Sequence, residues 1–158
     1  MYNIYVILHF VLMIVWVVSA IILDFKFLKG FNTGSDEEKI SLLRNVRSVS
    51  DRTEMPASTF LPLLGVLMLI ENNYWLQLGV MHGKILMALV TIGLYHAARG
   101  ISGRMMAALD AGDAVNGLAK RYVVFRLAVL VLLVLMSAMI ISYKGGISAL
   151  FYVRSWFN

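Results

Sequence analysis

The chain has 158 residues, of which 60% are hydrophobic and only 15% are charged, and its mean hydropathy is +0.80. Soluble domains carry about 25% charged residues, so the composition excludes an ordinary soluble domain and predicts one integral-membrane domain over residues 1–158. The net charge of +5 does not indicate a nucleic-acid partner, because the basic residues flank apolar segments, where membrane anchoring explains them better.

Four apolar segments are predicted as transmembrane helices, since each approaches the roughly 20 residues that a hydrocarbon core requires. They cover residues 4–25, 55–71, 77–98 and 122–143. The first segment lacks the positively charged leader of a signal peptide, so we expect it to be retained. The expected fold class is therefore all-α, a four-transmembrane-helix bundle.

The basic residues predict the orientation of this bundle. Most of them lie in the two long connections, at Lys26, Lys29, Lys39, Arg44, Arg47 and Arg52 in the first and at Arg99, Arg104, Lys120 and Arg121 in the second. By the positive-inside rule, both connections lie in the cytoplasm and both termini lie outside. The aromatic tail over residues 147–158 is predicted to anchor the chain at the outer interface.

The first connection contains a predicted helix of its own. Ser35 and Glu38 have the spacing of a capping box, and apolar residues then recur on one side at Ile40, Leu43, Val46 and Val49. This pattern indicates a cytoplasmic amphipathic helix that either lies on the membrane or extends the second span. A face for docking a partner is the alternative.

Two histidines inside the apolar segments are the strongest functional signal. His9 and His82 each lie five residues inside the outer end of a predicted span, roughly 7–8 Å below the boundary. Ionisable residues in a bilayer are costly and usually functional, and facing histidines in a bundle are common axial ligands of b-type haem. The absence of cysteine excludes thiolate ligation. The pattern predicts haem b on His9 and His82; hydrogen bonding to a neighbouring helix is the alternative.

The third histidine is predicted at a different depth in the membrane from His9 and His82. His96 lies fourteen residues beyond His82, about 21 Å along the helix and near the cytoplasmic boundary. We interpret it either as an interfacial histidine or as a contact to a substrate or a haem propionate. The other predicted spans offer no histidine at this depth, so a second bis-histidine haem within one chain is not expected.

Two cations inside the spans add to the predicted cofactor site. Lys84 follows His82 by two residues and lies deeper, and Arg126 lies about one turn inside the cytoplasmic end of the fourth span. Only Asp24 and Glu71, at the ends of spans, are acidic. A non-protein anion, such as a haem propionate, is therefore the expected partner; snorkelling to the headgroups is the alternative for Arg126.

Several of these residues stand in motifs that resemble a known family. The segment LHFVLMIVW contains His9 and Trp16, Met55-Pro56 starts the second span, and WLQLGVMHGKILMALVTIGLYHAARGISGR contains His82, Lys84, Tyr95, His96 and Arg104. Together they resemble HemJ-type protoporphyrinogen oxidases, and they share parts with CopD-like copper proteins. The chain departs from the pattern at DFKFLKGFN and at RYVVFRLAV, so it resembles a divergent member.

The resemblance implies a bacterial inner-membrane protein that binds haem b and has His9 and His82 as iron ligands. It also implies oxidation of protoporphyrinogen IX to protoporphyrin IX, with electrons passing to the respiratory chain, and hence porphyrin or quinone partners. Because of the departures, electron transport without this oxidase activity is the other redox function that we consider. In a homo-oligomer that shares one haem between copies, His96 would also have a role at the haem.

Two further classes remain open. Ten methionines are suggestive of a copper-handling protein of the CopD-like type. Most of them are scattered in apolar spans, where methionine is more often a packing residue than a Cu(I) ligand. A non-catalytic accessory subunit of a membrane complex, with its histidines merely hydrogen-bonded, is the third class.

Overall fold

The computed structural model of the chain describes residues 2–31 and 34–143, with side chains through residue 139. Within these ranges the chain is helical and contains no strand. The elements are α1 (Tyr2–Phe31), α2 (Asp36–Arg52), α3 (Glu54–Glu71), a 3₁₀ helix (Asn73–Gln77), α4 (Gly79–Asp110) and α5 (Asn116–Tyr143). The tail predicted to be an interfacial anchor lies outside the described residues.

Four helical segments are long and apolar enough to cross a membrane, which confirms the prediction of an all-α protein with four such helices. They are Tyr2–Phe31, Asp36–Glu71, Gly79–Asp110 and Asn116–Met139. Only 22% to 28% of the most apolar window of each is buried inside the protein. Most apolar side chains therefore face outwards, as hydrocarbon permits and water does not.

The helices run up and down, so the bundle has two ends. We call them the 3₁₀ end, where the 3₁₀ helix joins α3 to α4, and the α2 end, where α2 packs on α1, α3 and α4. At the 3₁₀ end, the Trp75 indole donates a hydrogen bond of 3.0 Å to the Tyr2 hydroxyl, which fixes the start of α1. The largest helix contacts are α4 with α5 and α1 with α3.

The second span begins earlier than its apolar composition indicates. Ser35 caps α2 by the predicted capping box with Glu38, and α2 joins α3 with a break only at Thr53. The Thr53 amide donates to the Val49 carbonyl at 3.0 Å, and its own carbonyl accepts from Ala57 at 3.3 Å. Because helical hydrogen bonding continues through the joint, α2 extends the second span rather than lying separately from it.

The other helices also continue past the predicted spans at the α2 end. On α4, Ile101, Met105 and Leu109 follow at intervals of four and are buried, so one face of the helix stays apolar beyond the hydrophobic run. Phe27 stacks on Phe31 with ring centroids 4.7 Å apart and packs against Tyr122 at 4.6 Å. The connection predicted over residues 99–121 is consequently mostly helical.

The core has two parts, with polar residues between them. The part near the α2 end contains Phe27, Phe31, Leu43, Ala98, Ile101, Met105, Leu109, Val115 and Tyr122. The part nearer the 3₁₀ end contains Trp16, Ala57, Leu61, Tyr95, Val129, Leu133 and Met136. Buried charged side chains lie where these two parts meet.

Candidate functional site

An ion cluster lies inside the bundle and is centred on Arg126 of α5. Its Nη1 and Nη2 donate to the two carboxylate oxygens of Glu54 on α3, at 2.9 and 2.8 Å, and its Nε donates to Asp24 on α1 at 2.5 Å. Arg126 is 4% exposed and Glu54 is fully buried. The paired, planar hydrogen bonds to Glu54 are the strongest geometry available to an arginine and a carboxylate.

Hydrogen bonds extend this cluster to the two remaining helices. Ser50 on α2 donates to Glu54 Oε2 at 2.5 Å, and the Ser50 and Tyr95 hydroxyls lie 3.0 Å apart. We call Asp24, Ser50, Glu54, Tyr95 and Arg126 the Arg126 cluster. Since each comes from a different helix, the cluster fixes the relative positions of all five α-helices. Two carboxyl groups share one guanidinium, so full ionisation would leave one net negative charge.

The Arg126 cluster corrects one expectation from the sequence. A non-protein anion was expected for Arg126, whereas the structure gives it the carboxylates of Asp24 and Glu54. Glu54 was missed because it precedes the apolar run of the second span. The signal was present, however: in antiparallel helices, residues near the end of the first span and near the starts of the second and fourth share one depth.

His9 lies in the other half of the bundle, on α1 against α3. Its side chain is half-buried, and the ring lies beside the backbone of Leu61. A Cβ at Gly65 would stand 3.7 Å from His9 Cε1, so the imidazole packs where α3 has no side chain. His9 Nδ1 is buried and has no hydrogen-bond partner among the described residues. The neighbouring helix therefore satisfies the ring incompletely.

Lys84 of α4 approaches the same place. It is half-buried and close enough to His9 to interact with it electrostatically. Lys84 forms no hydrogen bond or ion pair with the side chains that the structure describes, which extend through residue 139. We call His9, Gly65 and Lys84 the His9 layer. His9 and Lys84 thus interact electrostatically within the bundle, and neither pairs with a carboxylate of the described residues.

His82 does not join this layer. Residues two apart on a helix differ by about 200° in direction, so a helix that turns Lys84 towards His9 turns His82 away. His82 is exposed and shares its face with Leu86 and Leu89, each 63% exposed. The two histidines match in predicted depth but not in direction, and the interior of one chain does not bring them together.

His96 lies in a separate, open groove at the α2 end. It is exposed, its ring meets Tyr95 edge-on at 5.3 Å, and it lines the groove with Arg47, Arg99, Gly100 and Gly103. The groove has a volume of about 320 Å³. The groove does not decide whether His96 is an interfacial histidine or a contact to a substrate or a haem propionate. Its position at the α2 end does separate His96 from the His9 layer.

Metal ligation by clustered side chains finds no support in the described ranges, which contain no group of three or more His, Cys, Asp or Glu residues able to hold a metal ion. The methionines with described contacts mainly pack. Met136 is buried in the core, and the Met13 sulfur accepts a hydrogen bond of 3.3 Å from Ser137. The absence of such a group of three does not bear on a metal site with one or two histidine ligands.

No protein-family model, curated protein or solved structure matches the chain. The fold defines a multi-pass helical membrane protein. Its resemblance to the HemJ-type proteins stays a prediction from the motifs around His9, His82 and His96.

Proposed function

We propose that this chain is a membrane redox protein that binds haem b at the His9 layer and carries electrons within the membrane. The observation that carries the proposal is the buried Nδ1 of His9, which has no hydrogen-bond partner among the described residues, together with the electrostatic interaction of His9 with Lys84, a lysine that has no anionic partner in the same part of the chain. When one ring nitrogen of an imidazole lies by a backbone group and the other is free, the free nitrogen is suited to hold a metal.

The iron and the propionates of haem b correspond to the imidazole of His9 and the ammonium of Lys84 in the His9 layer. His9 would hold the iron, and the Lys84 ammonium would pair with a propionate, which removes the cost of an unpaired charge in the membrane. Gly65 leaves α3 without a side chain against the His9 ring. When bound, haem b supplies one-electron chemistry; the residues of this chain bind it and exclude water from it.

His82 does not fit as the second iron ligand within the same chain, because it is exposed on the opposite side of α4. We therefore assign the contribution of a single chain to His9 alone. This differs from the pair implied by the HemJ-type resemblance, and it makes the two histidines experimentally separable.

The test is the reduced-minus-oxidised absorption spectrum of protein purified from haem-replete cells. We expect a b-type spectrum that His9→Ala abolishes and that His82→Ala and His96→Ala retain. Loss in both His9→Ala and His82→Ala would contradict the single-histidine assignment and indicate a haem held between two copies. A haem-free wild-type protein would refute the proposed function, and stoichiometric copper in it would favour the copper-handling class.

Rescue of a strain that lacks protoporphyrinogen oxidase separates the two redox functions. We expect no rescue, because the chain departs from the HemJ-type pattern at DFKFLKGFN and at RYVVFRLAV. Rescue by the wild type but not by His9→Ala would assign the oxidase activity to the same site.

We further propose a bacterial inner-membrane location with the α2 end in the cytoplasm, which follows from the positive-inside rule. Because the chain has no cysteine, single cysteines can report the orientation. Glu37→Cys at the α2 end and Tyr74→Cys at the 3₁₀ end both lie at exposed positions. We expect a membrane-impermeant thiol reagent applied to intact spheroplasts to label Tyr74→Cys only; labelling of Glu37→Cys only would reverse the orientation.

A further inference from the structure

The groove that contains His96 has the chemistry of an anion site. It lies between α2 and α4, holds about 320 Å³, and is lined by Arg47, His96, Arg99, Gly100 and Gly103. Two arginines and a histidine face one open space. Like charges placed together are unfavourable unless an anion lies between them.

The charges in the groove are not balanced by the protein. Arg99 pairs with Asp51. Arg47 is half-buried, and across the described ranges it has neither a hydrogen bond nor an ion pair. One carboxylate therefore faces two guanidinium groups, which leaves one positive charge and the hydrogen-bond donors of Arg47 free for a ligand.

The two glycines give the ligand access to the arginines. A Cβ at Gly103 would stand 3.0 Å from Arg47 Nη1, so a side chain there would push the guanidinium by a few tenths of an ångström. A Cβ at Gly100 would meet nothing within 4 Å and would project into the open groove. Larger residues at these positions would therefore narrow the site without changing its charge.

The groove lies at the level where the apolar part of the third span ends. His96 is among the last residues of the predicted span over residues 77–98, and Arg99 follows it directly. Lipid headgroups occupy this level of a bilayer. A guanidinium matches phosphate oxygens by paired hydrogen bonds.

We propose that this groove binds a phosphate group through Arg47, with Arg99 and His96 beside it. The phosphate comes either from the headgroup of an anionic phospholipid or from free phosphate in solution. The site is independent of the haem proposal, since it lies at the opposite end of the bundle from the His9 layer.

Native mass spectrometry of the full chain in detergent tests this proposal. The probes are phosphatidylglycerol, a diacylglycerol with the same acyl chains but no phosphate, and inorganic phosphate. We expect phosphatidylglycerol to bind and diacylglycerol not to bind. Arg47→Gln should weaken phosphatidylglycerol binding about tenfold or more, as loss of a charge-assisted hydrogen bond does. Arg44→Gln is the matched control, because Arg44 is exposed on the same helix, and it should change binding less than twofold.

A second variant keeps every charge and fills the groove. Gly100→Leu should weaken phosphatidylglycerol binding without lowering the thermal unfolding midpoint, because leucine favours a helix more than glycine does. Equal losses in Arg47→Gln and Arg44→Gln, or wild-type binding by Gly100→Leu, would overturn the proposal. Binding of inorganic phosphate that depends on Arg47 would support the phosphate site and identify free phosphate as its ligand.

Discussion

The Arg126 cluster and the His9 layer lie in the same bundle, yet their charged groups are satisfied to different degrees. In the cluster, Arg126 is hydrogen-bonded by Glu54 and Asp24. In the layer, His9 Nδ1 is buried without a partner and Lys84 pairs with nothing in the described part of the chain. A buried guanidinium whose three nitrogens all donate to carboxylates of the same chain is explained by folding alone, whereas a group left unpaired in the membrane points to a ligand.

This difference indicates that the two regions have different roles in the protein. The Arg126 cluster ties five helices together by charge-assisted hydrogen bonds, so we interpret it as structural. The His9 layer leaves donor and acceptor groups free at some cost to stability, which is typical of binding sites. Substitutions in the cluster should therefore destabilise the protein, and substitutions in the layer should mainly change ligand binding.

The largest effect is expected for Glu54→Gln in the Arg126 cluster. Asp24 remains as the counter-charge of Arg126, but the amide offers one acceptor oxygen where the carboxylate offered two. A buried, charged donor left without its acceptor costs about 3 kcal/mol. Chemical unfolding in detergent should show this loss. Glu37→Gln, at an exposed position in the first turn of α2, is the control and should lie within about 0.5 kcal/mol of wild type. A near-neutral Glu54→Gln would show that the cluster is not structural.

A smaller effect of opposite sign is expected for Lys84→Met in the His9 layer. Removing an unpaired, half-buried ammonium should stabilise the haem-free protein by about 1–3 kcal/mol, while haem retention falls. Lys120→Met, at an exposed position on α5, should change neither quantity. Destabilisation of the haem-free protein by Lys84→Met would mean that this lysine has a structural partner and would remove the contrast between the two regions.

The smallest effect is expected for Tyr95→Phe, which removes the hydroxyl beside Ser50 and keeps the ring. The Trp16 ring meets Tyr95 edge-on at 5.7 Å, and this contact survives the substitution. A loss of about 1 kcal/mol is typical of one hydrogen bond and should appear in the same unfolding measurement. Tyr74→Phe, at an exposed position, should be neutral. A loss as large as that of Glu54→Gln would assign Tyr95 a larger part in the cluster.

Composition and apolar runs were sufficient to predict the helical class and its four membrane-crossing helices. They were insufficient for the ends of the helices, because a span is recognised by its hydrophobic length. Ile101, Met105 and Leu109 continue α4 by amphipathic spacing alone. Glu54 was not predicted as a site residue for the same reason, because a charged residue next to an apolar run marks the predicted end of the span.

The candidate site was predicted in part. The depths of His9 and His82 follow from their positions along the helices, but which residue faces inward depends on the rotation of α4. A sequence-level signal for that rotation exists: Lys84 lies seven and eleven residues before the buried Thr91 and Tyr95, at helical spacing. His82 is out of phase with this face. The interaction of His9 with Lys84 could therefore have been inferred in place of the pair of histidines.

The most direct test of the central claim is a titration of haem into haem-free protein in detergent, followed by absorption. We predict one haem per chain for the wild type, for His82→Ala and for the folded fraction of Glu54→Gln, and no specific binding for His9→Ala. Haem binding by His9→Ala equal to that of the wild type would contradict it.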